Sequence, residues 1–126
     1  DSHSRREKLS VAFAKTKQHE MALSEHFLTR LVNYPRIKLF GIDDFDRLNE
    51  RTPTFALIFE GLEPRAVSEF LGKQHICVWD GNFYAQGLCK QLDVLDKGGV
   101  VRIGCMHYNT IKELDQLFDL FDELLG

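Results

Sequence analysis

The run TIKELDQLFDLFDELL, residues 110–125, constrains this chain more than any other stretch. Thr110 and Glu113 are spaced as a capping box, in which the hydroxyl and the carboxylate each satisfy a free backbone N–H at a helix start. Ile111, Leu114, Leu117, Phe118, Phe121, Leu124 and Leu125 then recur at helical spacing and give one unbroken apolar face. A helix that carries so much aliphatic and aromatic surface on one side needs a second layer to cover it. With 126 residues, 44% of them hydrophobic and ten of them Phe, the chain can build one core and has little left for another.

The rest of the sequence supplies that second layer. Ser4 to Asn33 reads as a helix, with Leu9, Phe13, Thr16, Leu23, Phe27 and Leu31 near one stripe. Glu20 interrupts the stripe, so the helix either bends there or its first half docks on something outside this chain. Tyr34-Pro35 ends it, because the residue before proline disfavours helical angles. IKLF (37–40) reads as a short strand, followed by a polar loop to Arg51. Residues 54–59 read as a buried strand with apolar residues on both faces. Pro64 opens a helix that runs to about Lys73. ICVW is read as the third strand, residues 88–95 as a short helix and Lys97-Gly98-Gly99 as a turn. VVRIGC (100–105) is the fourth strand. The order α-β-β-α-β-α-β-α predicts an α+β fold: a small four-stranded sheet, mainly antiparallel or mixed, with helices packed on one side.

Composition narrows the functional classes. A net charge of −3 and a pI near 5.9 offer no basic field for nucleic acid. No apolar run is long enough for a membrane span, so neither nucleic acid nor membrane is an expected partner. Three cysteines, Cys77, Cys89 and Cys105, make an odd and sparse set that suits a reducing cytoplasm and small buried side chains. Neither they nor His19, His26 and His107 have metal-ligand spacing, and no cysteine has a base placed to activate it.

Arg102 stands out, because it interrupts an apolar strand. At a period of two it shares a face with Val100 and Gly104, and the glycine leaves open space beside the guanidinium. Such a fork suits a ligand carboxylate held bidentately. An ion pair with an Asp or Glu of the same domain would satisfy it equally well.

Arg102 is followed by Tyr108, Asn109, Thr110, Glu113, Leu114, Asp115 and Leu117 at spacings that resemble the C-terminal end of the class V aminotransferase family, which includes the cysteine desulfurases. HICVWDGNFYAQGL is similar to the family's strand, turn and active-site loop. HEMALSEHFLTRLVNYPRIKLFG is similar to the helix and strand that open its small domain. The resemblance spans residues 19–126 in the right order, and it implies the small domain of the aspartate-aminotransferase fold. Residues 1–18 are then a tag remnant and a linker helix from a large domain of the same polypeptide.

The resemblance also implies pyridoxal 5'-phosphate in the longer protein, an amino-acid substrate and a homodimer built mainly on the large domain. The lysine that holds the cofactor belongs to that large domain. No lysine here is assigned to it, no cofactor is expected on this piece alone, and the piece alone is expected to catalyse nothing. Arg102 matches the family arginine that binds the substrate α-carboxylate. In one large group of desulfurases the loop reads approximately Arg-x-Gly-His-His-Cys-Ala-Gln-Pro, and Gly81, Ala85 and Gln86 match it. Tyr84 stands where the nucleophilic cysteine would be, Asn82 and Phe83 replace the histidines, Trp79 the arginine and Gly87 the proline. A phenol cannot take up sulfur as a persulfide, so the loop is expected to line the substrate end with hydrogen bonds from Asn82 and Tyr84. Two alternatives use the same residues without that chemistry: a stand-alone α+β binding or regulatory module, and a dimerisation domain.

Overall fold

The computed structural model describes residues 4–126. Helix α1 (Arg5–Leu31) is followed by β1 (Ile37–Phe40), β2 (Thr54–Phe59), α2 (Pro64–Lys73), β3 (Trp79–Gly81), α3 (Gln86–Gln91), β4 (Val100–Gly104) and α4 (Ile111–Leu125). Two short 3₁₀ segments, Phe45–Glu50, kinked at Arg47, and Leu95–Lys97, sit in the loops. The sheet order is β1-β2-β4-β3 and every pairing is antiparallel. The α+β reading therefore holds, and the sheet is wholly antiparallel. Among the described residues no helix is long and apolar enough to cross a membrane.

Alternation along the strands sorts the side chains. Phe55, Leu57 and Phe59 of β2 and Val101 and Ile103 of β4 point into one core with α1, α2 and α4. Phe27 of α1 stacks on Phe55 with ring centroids 3.7 Å apart, Phe118 of α4 meets Phe27 at a tilt, and Phe121 packs edge-on against Phe59 and Phe118. The capping box of α4 is formed, with the Glu113 N–H donating to Thr110 Oγ1 at 3.3 Å and the Thr110 N–H donating to Glu113 Oε2 at 2.7 Å. Two polar ties lock α4 onto α1: His26 Nε2 and Arg30 Nη1 lie 2.8 and 3.1 Å from Asp115 Oδ1. Tyr34 adds a third, its hydroxyl donating to Asp122 Oδ1 at 2.8 Å.

Several sequence expectations change. The stripe on α1 is real but only its second half, from Leu23, is buried. The helix runs through Glu20 without a break, and Leu9, Val11 and Phe13 stay exposed. Strand β2 is not equally apolar on both sides: its odd positions are fully buried, while Ala56 and Ile58 are half-buried on the opposite face. The third strand does not begin in ICVW. His75 adopts φ +63° and the Ile76 N–H returns to the Leu71 carbonyl at 3.0 Å, so these residues close α2. Ladder pairing starts only at Trp79. The short helix ends at Gln91 rather than Leu95, because Asp93 turns left-handed and the Val94 N–H bonds back to the Cys89 carbonyl. Cys89 and Cys105 are buried as expected, but Cys77 is exposed, since its extended segment is not packed as a strand.

The three long helices cover one face of the sheet. On the other face the segment around α3 covers only one end. Cys89, Val94 and Val100 form a small second cluster there with Phe40, Ala56, Ile58, Phe83, Leu92 and Leu95.

Candidate functional site

The uncovered part of that second face is where Arg102 emerges. Its register partners are Ala56 on β2 and Trp79 on β3, so all three side chains leave the sheet on the same side. Next along β4 on this side is Gly104, where an added Cβ would meet only Thr54 Oγ1, at 3.7 Å. Small residues thus leave a low shelf beside an exposed guanidinium. Among the described residues the Arg102 side chain forms neither an ion pair nor a hydrogen bond, and the internal carboxylate partner that its strand position allowed is not there. Instead the guanidinium lies over the Phe83 ring, 4.2 Å from its centroid. Stacking holds one flat side of the group and leaves the N–H fork available for a planar acceptor.

Phe83 reaches that position through a tightly specified loop. Gly81 turns at φ +125°, and Phe83 and Tyr84 follow in the left-handed region at +52° and +62°. Consecutive bulky residues there are rare, since their Cβ atoms crowd the backbone. The Asn82 side chain offsets part of this cost, as its Oδ1 accepts from the Tyr84 N–H at 3.0 Å. The Asn82 carbonyl accepts from the Ala85 N–H at 2.8 Å and lies 3.8 Å from Cys89 Sγ, which is buried beneath the loop. Gly99 presses against the Gly81 carbonyl so closely that any Cβ there would overlap it.

Of the residues singled out from sequence, the structure brings Arg102 and Phe83 together. Asn82 is engaged in the turn, and Tyr84 projects fully into solvent at the loop apex without a hydrogen bond from its hydroxyl. Sequence reasoning missed that Trp79, 67% exposed, stands on the same face directly beside Arg102. Strand alternation could have indicated this only with the antiparallel register of β3 on β4 in hand.

A separate cleft of about 690 Å³ opens where residues 74–78 part from β4, with α4 as its far wall. It holds Cys77 and Cys105. Burial, helped by nearby Glu113, pushes the Cys105 thiol up to about 11, so it stays protonated and unreactive at neutral pH. Arg102 is not among its lining residues.

The antiparallel four-stranded layer with its helices is a fold that known proteins share. The family model described as aminotransferase class-V matches residues 8–117, and the chain belongs to that family. It is 30% identical over 109 residues to the aminotransferase-like protein FGM3 of Gibberella zeae, covering 86% of this chain and 27% of that protein. A probable cysteine desulfurase of Streptomyces coelicolor is 26% identical over 110 residues, covering 87% and 25%. The fold is similar to that of the cysteine desulfurase of Thermococcus onnurineus, with a TM-score of 0.79 at 21% identity over 91% of this chain and 27% of that one. It is also similar to the cysteine desulfurase CsdA of Escherichia coli, with a TM-score of 0.72 at 22% identity over 87% and 25%. The chain spans about a quarter of the length of the curated relatives it matches.

Proposed function

We propose that residues 19–126 are the small domain of a longer pyridoxal-phosphate-dependent class V enzyme, in which Arg102 receives the α-carboxylate of an amino-acid substrate. The observation that carries this is the unpaired guanidinium of Arg102, propped on Phe83 above a shelf of small residues. A cation built into a rigid strand and left without an internal anion is prepared for an external one. Holding the carboxylate fixes which bond at the substrate's α-carbon can react. Exposed Leu9, Val11 and Phe13 on the first half of α1 support a covering large domain in the same polypeptide.

The cofactor's covalent lysine is assigned to the large domain rather than to this chain. Every described lysine is exposed, which does not suit a residue that holds a cofactor covalently inside an active site. The contribution assigned to this chain is therefore substrate binding and orientation. Tyr84 stands where the desulfurase pattern has its sulfur-accepting cysteine, and the nearby Cys89 thiol is covered by the loop. Desulfuration through a persulfide on this loop is not the chemistry we assign.

The test is Arg102→Ala in the full-length protein. Loss of a charge-assisted pair worth about 1.5–3 kcal/mol should raise the substrate KM roughly 10- to 100-fold while the cofactor absorbance stays as it is. Unchanged kinetics would remove Arg102 from the substrate site.

A further inference from the structure

The assignment of Arg102 leaves Trp79 unexplained. A tryptophan is a large apolar investment, yet this one is 67% exposed and stacks on no other aromatic ring among the described residues. It is also the direct register partner of Arg102, on the sheet's uncovered face. Phe83, on the adjoining loop, is held by left-handed backbone in the one place where its ring meets the same guanidinium. On the other side of Arg102 the floor is Ala56, with Gly104 two residues further along β4. An aromatic wall beside a flat floor of small residues is a shape for a planar apolar group.

Charge points the same way. The charged strand residues on this face are Lys38 and Arg102, both cations. Asp80, the neighbour of Trp79, turns to the opposite side, where its carboxylate faces Arg65 at 3.5 Å. A ligand with a basic side chain would meet like charge here, whereas a carboxylate with a neutral flat body meets none.

We infer that Trp79, with Phe83, makes the Arg102 site selective for carboxylates that carry an aromatic or flat apolar body. The amino-acid substrate would then be of that class rather than a small or thiol-bearing one. The inference rests on the reading of Arg102 as a carboxylate receptor. Trp79 is the specificity-determining residue, and Phe83 positions the arginine.

The test uses two probes without an amino group, 3-phenylpropanoate and propanoate, titrated calorimetrically into the full-length protein. Wild type should bind 3-phenylpropanoate about tenfold more tightly than propanoate, as expected for one aromatic contact. Trp79→Ala should remove that preference and leave propanoate binding within about twofold, and Trp79→Phe should restore most of it. Arg102→Ala should weaken both probes together. If Arg102→Ala weakens both while Trp79→Ala alters neither, or alters both equally, the selectivity inference falls and the carboxylate reading stands. If Arg102→Ala alters neither, or wild type binds neither probe, both fall.

Discussion

Gly98 and Gly99 provide a controlled measurement of how the site loop is held. Both residues have φ +85°, so alanine at either position incurs a left-handed backbone cost of about 1–2 kcal/mol. Their surroundings differ. A Cβ at Gly98 would meet only Pro64 Cδ at 3.5 Å, an ordinary contact, whereas a Cβ at Gly99 would overlap the Gly81 carbonyl and crowd the Asn82 nitrogen. Backbone cannot swing aside as a side-chain tip can, so the loop must move as a unit at a further cost of about 1–3 kcal/mol. Gly98→Ala should therefore destabilise the protein by about 1–2 kcal/mol and Gly99→Ala by about 2–5 kcal/mol, as read by urea unfolding followed by circular dichroism. Because Phe83 rides on the displaced segment, Gly99→Ala should also weaken carboxylate binding at Arg102, and Gly98→Ala should not. Equal destabilisation by the two substitutions would refute the argument that the Gly81–Gly99 approach fixes the loop.

Two further outcomes test the packing around the site. Asp115→Ala removes the shared partner of His26 and Arg30; because these side chains are all partly exposed, the loss should be about 1 kcal/mol, and a double-mutant cycle with Arg30→Ala should recover part of it as coupling that fades in high salt. The thiol pKa of Cys105 is raised in the folded state to about 11, so the unfolded chain loses its proton first as pH rises. The stabilisation is complete below the unfolded value and is lost as pH climbs towards about 11, a change on the order of 2 kcal/mol that Cys105→Ala should abolish in unfolding curves measured between pH 8 and 11.

Local signals were legible in the sequence wherever local geometry decides the outcome. The capping box at Thr110 and Glu113, the proline that opens α2 and the ends of β1 and β2 all follow from residues a few positions apart. What could not be read depends on distant partners. The exposed and buried halves of α1 share one period, and only the extent of the sheet decides that burial starts at Leu23. ICVW has strand composition, yet His75 and Ile76 are used to close α2 before any pairing begins. For the site, Arg102 was visible as a charge in an apolar run. Its contact with Phe83 was not, because it depends on the glycine approach between the turn after β3 and the turn before β4.

The alternation of β4 also explains how such a site can diverge within a preserved fold. Val101 and Ile103 enter the main core, while Arg102 and Gly104, between and beyond them, face outward. A change at Trp79 or Phe83 therefore alters what Arg102 meets without touching the Phe27–Phe55 stack or the seam between α1 and α4. Loop identity and core identity are carried by opposite faces of one strand pair, so selection can act on one without destabilising the other. Replacing Trp79 should accordingly leave the unfolding free energy within about 0.5 kcal/mol, the range of surface substitutions away from special backbone. Phe83 is the exception, because its ring also joins the small cluster with Cys89 and Val94, and it couples what the site binds to how the loop is held.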